Sequence, residues 1–440
     1  MRTIAIVGAG TAGCVIARRI VDAFQRDSSA PRVILIERGT HNAHHDDADF
    51  MESLDLRSGA ITHVNSIVTS QREQDVYSYV QGQCIGGGGA VNGMVVSPLH
   101  TSDFELWREH YGCTQWDAQQ VIEGATDLFP ATVVPESDVG AVGAALIAAG
   151  GRPATLTWNR QRTSGATLIA DAVARNAIEL VHANVTQVIV EDGNVQGVVT
   201  DIGRINADVV VMAAGAVLTP LLLGASQLMH EHMGQQAQDH PSVFFTVARP
   251  SPFDGGLNAT ALRAMGDTQL IAYESAHPTT ALFGGVSLSG LKVRSRGKVS
   301  GSLDSPQIFL NLLDEEEDRV VMRDAVRLFV RDVAPIIEQE SGPVKCDEQG
   351  TMAQHLLSLN DGGLDDWLLH HVVPHSHISG TCAMGEGPHA VVSQRGKMHG
   401  VQGLYVADAS VFPQIPRSNT NMVVAAVASQ IARFIVEDYS

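Results

Sequence analysis

Three features of the sequence predict an α/β protein with a Rossmann-like parallel sheet. Residues 4–7 form a short apolar strand, the turn Gly8-Ala9-Gly10-Thr11-Ala12-Gly13 follows it, and Arg32–Glu37 reads as a second buried strand ending in an acid. An apolar helical run through Ile20 joins the two strands into a βαβ unit, with Glu37 roughly 20 residues or slightly more beyond the glycines. In such a unit Gly8 makes the turn, Gly10 lets a pyrophosphate reach the helix N-terminus, and Gly13 permits close strand packing. Glu37 would accept hydrogen bonds from a ribose. These residues predict dinucleotide binding without choosing between a flavin and a nicotinamide.

A chain of 440 residues suits two to three compact units, and 44% hydrophobic with 18% charged residues supplies material for full burial. The net charge of -19 excludes a polyanionic partner, so no nucleic acid is expected. Cys14, Cys84, Cys113, Cys346 and Cys382 are scattered and odd in number, which predicts reduced thiols and neither a disulfide framework nor a zinc site. No apolar run approaches the ~20 residues that span a bilayer. With the glycine motif starting beside Ile4, no secretion signal is expected, and a cytoplasmic location follows, peripheral to the membrane at most.

Further along, a polar loop carries His41, His44, His45, Asp46 and Asp47; it reads as a solvated loop, and no metal is expected. Residues 77–82 look extended and lead into Gly86-Gly87-Gly88-Gly89, where backbone without side chains could touch a cofactor. Residues 98–153 read as helical and irregular, with Trp107, Tyr111 and Trp116 as packing residues. A helix over 162–175 precedes strands at 179–181, 185–191, 195–200 and 207–213, the last returning to the first sheet. From His240 the pattern becomes alternating strands at 242–248, 269–273, 284–293 and 307–312, then a helix through Val333 that stops ahead of Pro335. A strand at 403–407 and an apolar helix over 422–435 close the chain. The strand ends at Asp408, and Arg417-Ser418-Asn419-Thr420-Asn421 lead the helix. A helix N-terminus aimed at a flavin pyrimidine ring would stabilise the charge that ring gains on reduction, which favours FAD over NAD.

At least six ordered blocks resemble the glucose-methanol-choline (GMC) oxidoreductase family. They begin with the glycine motif and Glu37-Arg38-Gly39, and continue with residues 86–94. Next come Ala214-Gly215-Ala216-Val217-Leu218-Thr219-Pro220 with Leu222, Leu223 and Ser226, then Asp239-His240-Pro241 and Ser295-Arg296-Gly297-Lys298-Val299. His377-Ile378-Ser379-Gly380-Thr381-Cys382-Ala383-Met384-Gly385 and Asp408-Ala409-Ser410 with Asn419-Thr420-Asn421 complete the set. The resemblance implies a Rossmann-like FAD-binding domain built from discontinuous segments (1–97, 154–239 and 374–440) plus an antiparallel-sheet α+β substrate or lid domain (98–153 and 240–373).

By the same resemblance His377 and Asn419 are catalytic. Gly8, Gly10, Thr11, Ala12, Gly13, Glu37, Arg38, Gly86, Gly87, Asn92, Gly93, Val95, Thr420 and Asn421 hold FAD, Val185 offers its backbone to the adenine, and Asp408 lies by the ribityl or pyrophosphate. An alcohol proton needs a base at neutral pH, and histidine titrates in the right range. His377 is therefore expected to take that proton, Asn419 to orient the oxygen, and flavin N5 to accept hydride. His375 is expected to be structural or to line the site, His370 and His371 to pack or lie at the surface, and Cys382 to be a small packing residue.

Val91 stands where members with histidyl-linked FAD carry histidine, so a non-covalent flavin is expected. Gln81 and Gln83 replace the usual cations, and the second domain and residues 98–153 look shortened. The substrate class is an alcohol or a bulky hydroxylated carrier, and the short form resembles the mycofactocin-associated branch. A quinone or respiratory component is the expected acceptor. An oxidase using O2, a lyase in which FAD is structural, and a non-catalytic nucleotide-binding module are the alternatives.

Overall fold

The computed structural model describes residues 2–25, 30–40, 59–72, 76–159, 161–248, 258–274 and 283–439. The histidine and aspartate loop at 41–47 lies outside the described residues. Five parallel strands build the first sheet in the order Leu404–Val406, Val209–Met212, Thr3–Val7, Arg32–Glu37 and Glu179–His182. The central strands are apolar nearly without interruption because helices and loops cover both faces. The helix Thr11–Ala23 packs against Gly165–Ala174 and against the C-terminal helix Thr420–Tyr439. Three strands, Val185–Glu191, Asn194–Thr200 and Gly203–Asn206, form a small antiparallel sheet between the fifth strand and Val209–Met212.

The second half supplies a larger antiparallel sheet. Pro241–Ala248, Phe283–Gly290, Thr268–Glu274 and Ala259–Met265 are adjacent in it, with Val344–Lys345 and Arg152–Pro153 at its ends. A further mixed sheet joins Ile61–Ile67 and Val76–Gly82 to Pro306–Phe309, Gly297–Gly301 and Gln235–Ala237. Residues from both sheets, including Tyr79, Phe245, Leu288 and Ile308, share one buried core with the helices of 316–340.

Three local expectations differ from what forms. Residues 98–153 do not stay together in the second domain. The helices Thr101–Tyr111 and Ala118–Thr126 bury Phe104, Trp107, Trp116 and Val121 in the core of the first sheet, and the stretch from Val134 onward packs on the antiparallel sheet. The aromatic side chains decide this: Trp107 and Trp116 are fully buried, and their indole N–H groups donate to the carbonyls of Gln414 (3.0 Å) and Gln394 (2.7 Å). The helix expected to stop before Pro335 continues to Glu340. A π turn at Phe329–Val333 resets the ladder so that proline falls in the first turn of Ala334–Glu340, where its missing N–H costs nothing. Ala259–Met265 was not expected as a strand because its alanine-rich pattern barely alternates; its pairing to Thr268–Glu274 supplies what the pattern lacks. Among the described residues no helix is long and apolar enough to cross a membrane.

The nucleotide turn leaves no space for a side chain at Gly8 or Gly13. Gly8 has φ +99°, and a Cβ on Gly13 would lie 1.9 Å from the Gly8 carbonyl oxygen. Gly13→Ala must therefore push strand and helix apart, and the expected loss is about 1–3 kcal/mol or more in urea denaturation. An unchanged midpoint would show that the turn is looser than this packing.

Candidate active site

Two glycine loops meet backbone to backbone at the head of the first helix. The Gly86 amide donates to the Ala9 carbonyl at 2.7 Å, and a Cβ on Gly87 would lie 2.8 Å from the Gly10 Cα. Gly87 itself has φ +51°. The C-terminal helix closes the same corner: Thr11 Oγ1 donates to Asn421 Oδ1 at 2.7 Å, and Thr420, the first residue of that helix, is buried. Ala12 and Gly13 are buried in the first turn behind Gly10. Residues from positions 8–13, 86–89 and 420–421 are thus brought together.

Glu37 closes the far end of this groove. Its Oε2 accepts from the Ala9 amide (2.9 Å) and its Oε1 from the Gly39 amide (2.8 Å), while burial pushes its carboxyl above the usual range. Each oxygen retains a second lone pair for a ribose hydroxyl. Arg38 is half-buried beside it, and burial pushes the guanidinium down. Val185 lies two residues beyond Ala183, whose amide donates to the Glu37 carbonyl at 2.9 Å.

Asp408, expected by the ribityl chain or the pyrophosphate, turns its carboxylate inward onto the protein. It is 3% exposed, its Oδ2 accepts from the Gly215 amide and the Thr219 hydroxyl, and its Oδ1 accepts from the Ser410 amide. The carboxylate is a brace between the start of the helix Gly215–Ala225 and the end of the last parallel strand. The groove nevertheless fits a dinucleotide. Gly10 caps the first helix without a side chain, and Cβ atoms built on Gly88 and Gly215 would meet nothing within 4 Å among the described residues.

The reactive end is built from histidines. His377 follows Ser376, which has φ +62°, so the segment is held in the left-handed region by what surrounds it. The holder is Asp239, fully buried, whose two oxygens each accept from the His377 amide at 3.0 Å and which also accepts from the Tyr79 hydroxyl. Tyr79 in turn accepts from the Ile378 amide at 3.0 Å.

The ring of His377 lies 2.9 Å, Nδ1 to Nδ1, from His240, whose Nε2 sits 3.0 Å from the Pro416 carbonyl. A carbonyl only accepts, so the His240 Nε2 carries hydrogen and its Nδ1, in the neutral ring, accepts. The His377 Nδ1 is then the donor, and its Nε2 holds the free lone pair. His377 remains partly accessible. His375 stands 4.7 Å from the His377 ring, and its Nδ1 lies 3.0 Å from Ser289 Oγ. His370 and His371 bond through Nδ1 to carbonyls of their own helix, at Asp366 and Trp367.

Pro416 leads by three residues to Asn419, which is 8% exposed and whose Nδ2 donates to the Val95 carbonyl at 3.3 Å. Asn92 ends the short helix Gly88–Val91, and its Oδ1 accepts from the Met94 amide at 3.0 Å. A Cβ on neighbouring Gly93 would meet the edge of Tyr273 at 3.9 Å. Arg162, 0% exposed, donates to the Asn92 carbonyl at 2.6 Å. The sequence reading missed Arg162 and Tyr79 and assigned no role to Asp239 or His240. A lone arginine at the start of an expected helix reads as surface, and only the Asp239-His240-Pro241 block carried any signal.

Burial pushes His240 down to about 3 and His375 to about 4, and it pushes His377 well below the ordinary histidine range, helped by repulsion from His375 and His240. In the unfolded chain these rings take protons below 6.5, so acidification favours unfolding. Asp239, which burial pushes up to about 7, acts in the opposite sense: its contribution to stability is present at low pH and fades as pH rises through 7. Within this cluster three imidazoles stand against one carboxyl and leave a net loss, and comparison with His375→Asn separates it from Glu37 and Asp408, whose carboxyls burial also raises. The urea midpoint should fall as pH drops from about 7 to about 5, and less steeply in His375→Asn. A midpoint constant over that interval would contradict neutral burial of the three rings.

Models of the GMC oxidoreductase family match residues 3–129 and 121–242 with their N-terminal part and 293–428 with their C-terminal part. The chain is 25% identical to an oxygen-dependent choline dehydrogenase of Vibrio vulnificus over 544 aligned positions, covering 98% of this chain and 93% of that protein. An alignment longer than this chain crosses segments of the relative that the chain lacks. In three dimensions the chain is similar to pyridoxine 4-oxidase from Mesorbium loti, with TM-score 0.85, 21% identity and full coverage of both chains. It is also similar to formate oxidase from Aspergillus oryzae, with TM-score 0.83, 20% identity and coverage of 100% and 98%. With family models covering most of its length and the glycine, histidine and C-terminal blocks meeting in one corner of the fold, this chain belongs to the GMC oxidoreductase family.

Proposed function

We propose that the chain oxidises the CH–OH carbon of an alcohol, with FAD held non-covalently, His377 as the base and Asn419 orienting the substrate oxygen. The observation that carries this reading is the hydrogen-bond chain from Pro416 through His240 to His377. It leaves a neutral imidazole with its Nε2 lone pair free, which is the form a proton acceptor needs. Bound FAD supplies the two-electron acceptor for the hydride that leaves the carbon.

The chain's own groups do the rest. His377 Nε2 takes the hydroxyl proton, and the positive charge that results is shared with His240 through the Nδ1 contact. Asn419 offers an amide hydrogen to the oxygen as it gains negative charge. Gly10, Thr11, Glu37, Gly86, Gly87, Asn92, Gly93, Val95, Val185, Thr420 and Asn421 line the cofactor groove in this reading. Non-covalent attachment is supported by Val91, a 5% exposed aliphatic side chain packed with Ala60, Ile61 and Ala90.

The relative named for choline supports an alcohol as substrate, and a bulky hydroxylated carrier of the mycofactocin type belongs in the same class. A quinone-like compound is the proposed electron acceptor. Anaerobic bleaching of the bound flavin by choline, benzyl alcohol, pyridoxine and reduced carrier extracts tests the reaction, and reoxidation by oxygen and a quinone in parallel tests the acceptor. His377→Ala should retain flavin yet reduce it at least ~100-fold more slowly. Reduction at the wild-type rate would remove His377 as the base.

A further inference from the structure

Asn419 has a second partner, and it comes from the other sheet. Gln269 lies on Thr268–Glu274, where its backbone is in register with Ala264 on one side and Ser289 on the other, and it is 2% exposed. Its Nε2 donates to Asn419 Oδ1 at 2.8 Å, and its Oε1 accepts from the Ser97 hydroxyl at 3.3 Å.

The direction of the carboxamide is set by these contacts. The Val95 carbonyl can only accept, so the group that faces it must be the Asn419 Nδ2. Oδ1 then faces Gln269, and Gln269 must answer with its own NH2. Nδ2 carries two hydrogens; Val95 takes one, and the other remains for the site. Turning the Asn419 amide over would set its oxygen against the Val95 carbonyl, and Gln269 would have to turn with it and donate to the Ser97 hydroxyl instead. With the Val95 hydrogen bond lost and two acceptors facing each other in a buried place, the flipped form is disfavoured by roughly tenfold or more.

We propose that Gln269 is a positioning residue that fixes the Asn419 carboxamide with its spare N–H, rather than its carbonyl, turned to the substrate oxygen. The proposal rests on the reading of Asn419 as the group that orients that oxygen. It makes the alignment of an oxidation site in the cofactor half depend on one side chain of the antiparallel sheet.

Two substitutions separate this from a packing role. Gln269→Met keeps the volume and removes the donor. Gln269→Glu presents a carboxylate that only accepts, and a carboxylic acid that can donate to Asn419 Oδ1 once protonated. Each holoenzyme is reduced anaerobically across about pH 5 to 8 with whichever of choline, benzyl alcohol and pyridoxine bleaches the wild type fastest; flavin absorbance per chain and the thermal midpoint are recorded beside it.

The expected result is unchanged flavin content with limiting reduction about tenfold slower in Q269M. Q269M combined with N419A should be no slower than N419A alone. Q269E should be slow at pH 8 and recover toward the wild-type rate as pH falls. A Q269M rate within about twofold of wild type beside a slow N419A, additive losses in the double variant, or a Q269E that is slow at every pH would overturn the role of Gln269 and leave that of Asn419 standing. Wild-type reduction by N419A would overturn both.

Discussion

The site depends on one buried carboxylate. Asp239 gathers the Tyr79 hydroxyl and the His377 amide, and by doing so holds a segment whose central residue, Ser376, sits at φ +62°. A left-handed serine costs about 1–2 kcal/mol, while each buried donor left without its acceptor costs about 1–3 kcal/mol, so the clamp outweighs the strain it imposes. Because Tyr79 also accepts from the Ile378 amide, the segment is gripped on both sides of the imidazole. The His377 segment is therefore aimed by backbone contacts, and its ring is held a second time by His240.

The same division of labour runs through the cofactor groove. Backbone meets backbone where Gly86 and Gly87 touch Ala9 and Gly10, and side chains enter only at the rim, through Glu37, Thr11 and Asn421. Asp408, turned inward onto Gly215, Thr219 and Ser410, anchors the start of a helix to the end of the last parallel strand. The helices at 101–126 then cover the C-terminal helix with buried aromatic side chains, so a stretch expected over the substrate instead stabilises the nucleotide half. With that cover spent elsewhere, and with segments of the Vibrio relative absent from this chain, the antiparallel sheet itself forms the wall facing Asn419.

Much of the first sheet was legible because its signals are local. The strands at 4–7 and 32–37 are continuous apolar runs, and the turn between them is made of residues whose spacing has one geometric meaning. The π turn at Phe329–Val333 and the alanine-rich strand Ala259–Met265 were not legible, since each is stabilised by a neighbour and not by its own pattern. At the site, His377 and Asn419 carry motifs, but Arg162, Tyr79 and Gln269 carry none; each gains its meaning from a partner between 70 and 299 residues away.

By itself the sequence determined that a dinucleotide turn, a histidine block and an asparagine block occur in the GMC order, because residue type and short spacing suffice for that. The tertiary structure alone decided which nitrogen of His377 is free and which end of the Asn419 amide faces the site. Both are settled by carbonyl groups, of Pro416 and Val95, which can accept a hydrogen bond and never donate one. Val95 bridges Leu156, and Pro416 lies between Ile415 and Arg417, whose amides donate to Gln238 and Asp103, so distant contacts place both carbonyls and no local pattern encodes them.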